Sequence, residues 1–381
     1  WSSDVCSSDL MKMAIIGAGP GGLYAALAAV RKNIKVDLFE KRKVGEGIVC
    51  GECIFDSLGI MARPGRGLLH PVEGLVLKGS GEYRFPLGRH KPLWMLDRRV
   101  WQRDLSRQAQ ELGVRLHENA RVTVSDLARM KKSYQWILDA SGAPSVASRL
   151  YGFTREYIQE CLAAHQVRLA GDFSSLAPCI RVVFFPDLPA ENQPGYAWVF
   201  PRDAESANVG VVCTVRKEPG HGRPDMKKML TDFLRREGLE GSPVLERGGG
   251  IAPARMLSRL VYDNILLVGD AAGLTSALHG GGIDMACLSG VLAVQAVCEG
   301  QAGAARYAGA LRRYSREKNA LEKVTIGKMR ALNFDRFDRL LFGVTSPSLR
   351  VRFWTALRNP VMFWTTIRWF TAKKKIPDWP V

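Results

Sequence analysis

Residues 12–40 leave this chain the least conformational freedom. Lys12-Met13-Ala14-Ile15-Ile16 is a short apolar run that enters Gly17-Ala18-Gly19-Pro20-Gly21-Gly22 directly. Residues 23–32 follow with helical character, and residues 34–39 give a second strand that ends in Glu40. Strand, glycine turn, helix, strand and terminal acid in this order predict a βαβ dinucleotide fold, a context that an isolated glycine motif lacks. Gly17 permits the tight turn, Gly19 lets backbone approach a pyrophosphate, and Gly22 lets helix and strand pack closely. The helix start offers unpaired N–H groups and the positive end of its dipole to phosphates. Glu40, at the strand end, can accept hydrogen bonds from an adenosine ribose. On this segment alone, NAD and FAD are both open.

A distant segment decides between them. An apolar strand, Asn264-Ile-Leu-Leu-Val268, ends in Gly269-Asp270 and leads through a small-residue stretch to His279-Gly280-Gly281-Gly282 and a helix expected over Ile283–Cys298. This arrangement can place Asp270 near ribityl hydroxyls. It can also aim the N–H groups of Gly282 and Ile283 at a flavin pyrimidine, where reduction leaves negative charge. Combined with the N-terminal fold, it points to FAD. Residues 136–145 read as another strand, ending in Asp139-Ala-Ser-Gly142. Asp97-Arg98 opens a helix expected to run to about Leu112, and residues 114–124 return as a strand. Arg98, near that helix start, is a candidate pyrophosphate contact; the alternative is a surface arginine.

A length of 381 residues fits about two domains. The expected fold is α/β: a discontinuous Rossmann-type FAD-binding domain over 11–75, 97–150 and 255–310. An antiparallel β-sheet substrate domain is inserted over 76–96 and 151–254, and a helical C-terminal region covers 311–381. Residues 219–224 and 248–250 read as surface turns or joins. Residues 1–10 lack the basic start and apolar core of a signal peptide and read as a non-native scar. The best membrane-span candidate, Ile283–Cys298, carries Asp284 and Gln295 and is shorter than the ~20 apolar residues a spanning helix needs. The eight cysteines are scattered, which suggests a reducing, cytoplasmic setting. A net charge of +17 favours anionic partners. No nucleic-acid module accompanies it, so anionic lipid or a phosphorylated substrate fits better.

These residues resemble the geranylgeranyl reductase family, within the para-hydroxybenzoate hydroxylase-type flavoproteins. The likeness runs over roughly residues 11–300 and is carried by motifs in the same order. They are Gly17–Gly22, Cys50-Gly51-Glu52, Asp97-Arg98-x-x-Trp101, the 139–145 run, Gly195-Tyr-Ala-Trp-Val-Phe-Pro201, Gly269-Asp270, Gly280-Gly-Gly-Ile283 and Ser289-Gly290. Cys-Gly-Glu and Tyr-x-Trp-x-Phe-Pro are the most specific. The resemblance implies reduction of isolated double bonds in isoprenoid chains by reduced FAD. It also implies cofactor contacts at Gly22, Glu40, Cys50, Gly51, Arg98, Val122, Asp270, Gly282 and Ile283, beside the motif glycines Gly17 and Gly19. The sequence departs from the pattern in three places. Ser276-Ala277 stands where Asp-Pro is usual, Cys53 adds a thiol, and Gln102 replaces an acid.

A prenyl alkene carries no electron-withdrawing group, so hydride alone does not add to it. The site needs a dry tunnel, a proton donor and π-faces that steady positive charge. Tyr196, Trp198 and Phe200 alternate along one expected strand and so share a face, an aromatic wall for an isoprenoid. Residues 208–212 are the expected hairpin partner. Tyr196 and Trp198 are candidate catalytic residues together with Cys50, which can gate, orient or protonate at the flavin. Cys50 and Cys53 lack the second half of a zinc site, and no metal is expected; a redox dithiol is the alternative role. His279 is a candidate substrate contact. The electron donor is NAD(P)H visiting the flavin face, or a small redox protein. Residues 353–370 are aromatic-rich, broken by Pro360 and followed by Lys373-Lys-Lys375. They suit an interfacial helix on anionic lipid at the inner face of the cell membrane, or a helix pair roofing the substrate tunnel. Two rival functions remain: a flavin-dependent monooxygenase or halogenase, and a non-catalytic prenyl-lipid or quinone binding flavoprotein.

Overall fold

The structure is a computed structural model that describes residues 11–86, 92–184, 195–216, 224–331 and 334–372. Residues 1–10, 219–223 and Lys373–Lys375, on which expectations were placed, lie outside the described residues. Along the chain, β1 (Lys12–Ile16), α1 (Pro20–Val30) and β2 (Lys35–Phe39) form the opening βαβ unit. There follow β3 (Cys53–Phe55), β4 (Leu68–Pro71), β5 (Gly74–Lys78), β6 (Glu82–Pro86) and β7 (Leu93–Leu96). Next come α2 (Arg98–Glu111), β8 (Arg115–His117), α3 (Val124–Ser133), β9 (Trp136–Asp139) and α4 (Val146–Tyr151). The middle of the chain supplies β10 (Glu160–Ala170), β11 (Ile180–Val183), β12 (Gly195–Pro201), β13 (Ser206–Arg216), α5 (Met226–Arg236) and β14 (Val244–Pro253). The remainder is β15 (Val261–Tyr262), β16 (Ile265–Leu267), α6 (Ile283–Cys298), α7 (Gly300–Ala331), α8 (Phe334–Thr345), α9 (Leu349–Arg358) and α10 (Pro360–Thr371).

The first sheet has the order β15-β16-β9-β1-β2-β8, parallel throughout except at the β15 edge. The chain leaves β1 toward β2 on one side, whereas β9 lies on the other. The carboxyl ends of β1, β2, β9 and β16 therefore open onto one crevice at a switch point, where parallel sheets bind ligands. Both faces of such a sheet must be covered, which explains the continuous apolar runs in β1, β9 and β16. Helices α1 and α6, buried along most of their length, meet at glycines. A Cβ on Gly290 would sit 2.2 Å from the Gly21 carbonyl oxygen, so only glycine lets the two backbones approach this closely. The expected strand over 114–124 shortens to Arg115–His117, because Thr123 caps α3 through a reciprocal capping box with Asp126.

The second sheet, β14-β10-β13-β12-β11-β5-β6, is antiparallel apart from the β5–β11 pair. That parallel pair departs from the all-antiparallel expectation; β5 and β11 are far apart in sequence, so no hairpin dictates their direction. Residues 248–250, expected as a turn or join, instead lie inside β14, opposite Gln166, His165 and Ala164 of β10. A Cβ on Gly249 would meet His165 Nδ1 at 2.7 Å, so this glycine serves close strand approach. Within the expected insert 76–96, β7 departs to a separate three-stranded sheet with β3 and β4. One face of the second sheet packs Ala197, Val199, Val209 and Val211 against Leu230 and Phe233 of α5. The alternate residues of β12 turn to the other face. Helix α10 packs on α7, and α8 packs on α9 and β6.

Candidate functional site

One cavity of about 960 Å³ runs from the crevice of the first sheet to the aromatic face of the second. At its dinucleotide end, Gly17 adopts φ +101°, and a Cβ there would stand 2.3 Å from the Ala140 carbonyl oxygen. A Cβ on Gly22 would stand 1.9 Å from the Gly17 carbonyl oxygen, whereas nothing lies within 4 Å of one built on Gly19. Gly17 and Gly22 are thus required by close packing, and Gly19 leaves open space toward the cavity. Gly22 itself lies behind the wall rather than on it. Glu40 accepts the Ala18 N–H at 2.8 Å and the Arg42 N–H at 3.2 Å, and it remains on the cavity wall. Its carboxylate therefore pins the glycine turn and keeps lone pairs for a ribose. Phe39 stacks on His117, with ring centroids 4.6 Å apart, and lines the same end with Val122.

Asp97 caps α2 by accepting the Arg99 and Val100 N–H groups, which sets Arg98 at the first turn. Arg98 donates to Gln102 at 2.7 Å, and Gln102 donates to the Ala18 carbonyl at 3.3 Å, so the departure at Gln102 ties Arg98 to the glycine turn. Arg98 Nε is buried without a hydrogen-bond partner among the described residues, on a side chain that lines the cavity. An unpaired buried guanidinium N–H at this place fits an anionic ligand. Asp139, by contrast, is fully buried and spends its oxygens on Ser141 and the Ala147 N–H. It shapes the turn after β9 rather than meeting a ligand.

At the centre, Asp270 accepts the Thr275 hydroxyl at 3.1 Å. Burial raises the Asp270 carboxyl, with Thr275 and Arg98 pulling the other way. Gly282 caps α6 and Ile283 opens it, and both residues line the cavity; the first N–H groups of a helix have no intrahelical acceptor. The loop before it is tightly held: Ser276 N–H donates to the Gly281 carbonyl at 2.7 Å, and Gly280 N–H to the Ser276 carbonyl at 3.0 Å. The Tyr196 hydroxyl donates to the His279 carbonyl at 2.6 Å, tying this loop to β12. Burial holds the Tyr196 phenol strongly in its protonated form.

Tyr196, Trp198 and Phe200 line the cavity together, with successive ring centroids 6.1 and 5.8 Å apart. Phe184 extends the wall, 6.3 Å from Tyr196. Cys50 and Gly51 lie against this wall; a Cβ on Gly51 would touch Phe200 and Trp198 at 3.4 and 3.5 Å. Burial pushes the Cys53 thiol well up, with Cys50 adding to it, which disfavours the thiolate that dithiol exchange requires. Among the described residues, no group of three or more His, Cys, Asp or Glu could hold a metal ion.

Several supporting residues escaped the sequence reading. Asn208 accepts the Trp198 indole N–H at 2.9 Å and donates to the Cys50 carbonyl at 3.1 Å, a carbonyl that Gln166 also reaches at 2.8 Å. Gly210, opposite Trp198 in register, leaves room for the indole; a Cβ there would come within 2.3 Å of the ring. Arg202 pairs with Glu52 and, at 3.1 Å, with Asp97, joining the Cys-Gly-Glu turn to the start of α2. The hairpin pattern over 208–212 was the available signal for Asn208 and Gly210, but nothing local in sequence pointed to Arg202. The far end of the cavity is mostly apolar, with Leu75, Ile180, Leu340, Val344 and Met362, and Lys328 beside them.

Glycine turn, strand-end acid, orphaned arginine N–H and α6 start, converging on one cavity, define a flavoprotein of the reductase and monooxygenase architecture, and these residues fit FAD. Residues 15–45 match the model described as an NAD(P)-binding Rossmann-like domain. The digeranylgeranylglycerophospholipid reductase of Methanothrix thermoacetophila is 30% identical over 310 residues, covering 75% of this chain and 77% of that one. The protein of the same name from Methanosphaerula palustris is 30% identical over 319 residues, covering 75% of each. Among solved structures, a geranylgeranyl bacteriochlorophyll reductase-like protein of Thermoplasma acidophilum superposes with a TM-score of 0.73 at 21% identity, covering 94% of this chain and all of that one. The flavin-dependent brominase Bmp2 superposes with a TM-score of 0.63 at 17% identity, covering 94% and 92%, which shows a shared fold. The chain belongs to the geranylgeranyl reductase family.

Proposed function

We propose that this protein is an FAD-dependent reductase that saturates carbon–carbon double bonds in the isoprenoid chain of a lipid, quinone or pigment precursor. The observation that carries the reading is the cavity that joins a dinucleotide cradle to an apolar end beneath an aromatic wall. When bound and reduced, FAD supplies the hydride. Gly17, Gly19, Arg98 and the start of α1 would hold the pyrophosphate, Glu40 the adenosine ribose, and Asp270 the ribityl chain. Gly282 and Ile283 would meet the pyrimidine edge, with Cys50 and Gly51 beside the ring. Tyr196, Trp198 and Phe200 exclude water and turn π-faces toward the alkene, where cation character develops. Trp198 is fixed by Asn208, so its face, rather than its N–H, meets the substrate.

Electrons come from NAD(P)H visiting the flavin face or from a small redox protein. The C-terminal helices bring the substrate. Helix α10 contributes Met362 to the cavity, while Phe353, Trp354, Leu357, Val361 and Trp364 are more than half exposed on α9 and α10. Arg350, Arg352, Arg358 and Arg368 lie on the same helices. Aromatic and aliphatic side chains beside arginines suit the surface of an anionic membrane at its cytoplasmic face. Among the described residues, no helix is long and apolar enough to cross a membrane.

The test is anaerobic reduction of the flavin-loaded protein with dithionite, followed by a panel of geranylgeranyl compounds read by mass. The expected product gains one pair of hydrogens per reduced bond. Oxygen or halogen in the product would support the monooxygenase or halogenase alternative. Unchanged compounds beside a flavin that reoxidises freely would leave only a binding role.

A further inference from the structure

The loop leading into α6 turns about Ser276, which is buried and is held by Glu322 of α7, 46 residues further on. The Ser276 N–H donates to the Gly281 carbonyl at 2.7 Å, and its carbonyl accepts the Gly280 N–H at 3.0 Å. Its side-chain oxygen accepts the Leu278 and His279 N–H groups, both at 3.3 Å. A hydroxyl has one proton and two lone pairs, so with both lone pairs taken the proton goes to Glu322, at 2.7 Å. The Lys318 ammonium, 5% exposed, lies 2.7 Å from the same Glu322 oxygen. Burial alone would raise the Glu322 carboxyl, but Lys318 leads the groups that hold it below its ordinary value. His279 Nδ1 accepts the Gly281 N–H at 3.1 Å, so the ring is neutral and its proton sits on Nε2, 3.6 Å from Glu322. A buried ion pair seldom adds stability over apolar packing, so its place against this loop invites a functional reading. A Cβ on Gly282 would meet Thr275 Cα at 3.3 Å and Asp270 Oδ1 at 3.7 Å, so the start of α6 rests on the residue before Ser276. Thr275 and Gly282 line the cavity, as do Thr325 and Lys328 in the next two turns of α7, whereas Ser276, Lys318 and Glu322 lie behind its wall.

We propose that Ser276, Glu322 and Lys318 are positioning residues that fix the start of α6 against the flavin pyrimidine, in register with the α7 wall of the isoprenoid end. The inference rests on the FAD placement and the alkene-reductase reading of the proposed function. Reduction leaves negative charge at the pyrimidine, and N–H groups at a helix start stabilise that charge only while they stay in place. A looser loop therefore weakens binding of the reduced cofactor more than binding of the oxidised one. It also lets the ring shift relative to the alkene, and a misplacement of about 1 Å can cost about 100-fold in rate. The hydroxyl at position 276 matters because it donates. A carboxylate there would face Glu322 at hydrogen-bond distance, and the two like charges would repel.

The test reads FAD affinity by fluorescence titration and the midpoint potential of the loaded protein by dithionite titration, with alkene reduction as a third measurement. Ser276→Ala should weaken FAD binding and lower the midpoint by about 30 mV, a tenfold loss of preference for reduced flavin in a two-electron couple. Its kcat should fall at least about tenfold with KM nearly constant. Ser276→Asp should lower the midpoint at least as far. Adding Glu322→Gln to Ser276→Asp leaves one carboxylate for Lys318 and gives position 276 an amide donor, so it should recover most of both losses. Additive losses in that double variant would overturn the Ser276–Glu322 contact as the cause. A midpoint that stays put while urea stability falls would overturn positioning at the flavin. Should Ser276→Asp not fold, Lys318→Met together with Glu322→Leu removes the ion pair without stranding either charge. That pair of changes should lower the midpoint as Ser276→Ala does, and an unmoved midpoint would overturn the part assigned to α7. Wild-type protein that takes up no FAD overturns this inference and the cofactor placement together. Wild-type protein that binds FAD but reduces no geranylgeranyl compound overturns the reductase reading, while the potentials still decide whether α7 positions the loop.

Discussion

Replacing Arg202 by methionine keeps most of the side-chain stem and removes the charge that joins three parts of the site. Arg202 is 10% exposed, and its partners Glu52 and Asp97 are 15% and 24% exposed. Removing one partner of a buried pair costs about 3–5 kcal/mol, and we expect about 3 kcal/mol at pH 7.5, because Asp97 keeps its two backbone donors. Burial raises the Glu52 carboxyl, only partly offset by Arg202, so its folded form binds protons more readily than the unfolded chain. Burial alone would raise Asp97 too, but the Val100 N–H, Arg202 and the Arg99 N–H hold it below its ordinary value. Glu52 therefore lowers stability as pH rises from about 4 through its raised folded value. Asp97 adds stability above about pH 4 that is lost as pH falls through its depressed folded value. Without Arg202 the Glu52 penalty deepens and the Asp97 contribution shrinks, so both changes enlarge the cost of the substitution as pH rises. Urea unfolding should show a deficit of about 3 kcal/mol at pH 7.5 and about 1 kcal/mol or less near pH 4. A deficit that is the same at both pH values would refute the electrostatic account. One below about 1 kcal/mol at pH 7.5 would refute the burial account as well.

Gly22→Ala places a Cβ against the Gly17 carbonyl and should weaken FAD binding at least about tenfold, or about 1.4 kcal/mol, by flavin fluorescence titration; wild-type affinity would contradict the close-packing argument. Asn208→Leu strands the buried Trp198 indole N–H while Gln166 still serves the Cys50 carbonyl. It should cost about 1–3 kcal/mol in urea unfolding, and a neutral result would mean that water replaces the amide. The double substitution Trp354→Glu and Trp364→Glu changes exposed positions, so the fold should keep its stability while co-sedimentation with anionic phosphatidylglycerol vesicles falls. Unchanged sedimentation would remove α9 and α10 from the membrane surface.

The dinucleotide turn was legible because its constraints are local. Gly17 adopts a positive φ and Gly22 must clear the Gly17 carbonyl five residues back, both local demands, and the strand-end position of Glu40 follows from the same short unit; the Ala140 carbonyl that also crowds Gly17 comes from far along the chain. The alternation of Tyr196, Trp198 and Phe200 was equally readable, since a strand's period of two fixes which side chains share a face. Glycine at 248–250 misled for the opposite reason: composition cannot distinguish a turn from a strand that needs close approach to His165. Residues whose work depends on partners far along the chain stayed hidden until the chain was folded. Arg202 meets Glu52 and Asp97 across separate sheets, and Lys318 and Glu322 reach Ser276 and His279 from the next helix over. Sequence by itself determined the local frames, because backbone sterics and periodicity act between near neighbours. Tertiary structure alone decided which charges and donors became partners, because burial and distance in space set those energies.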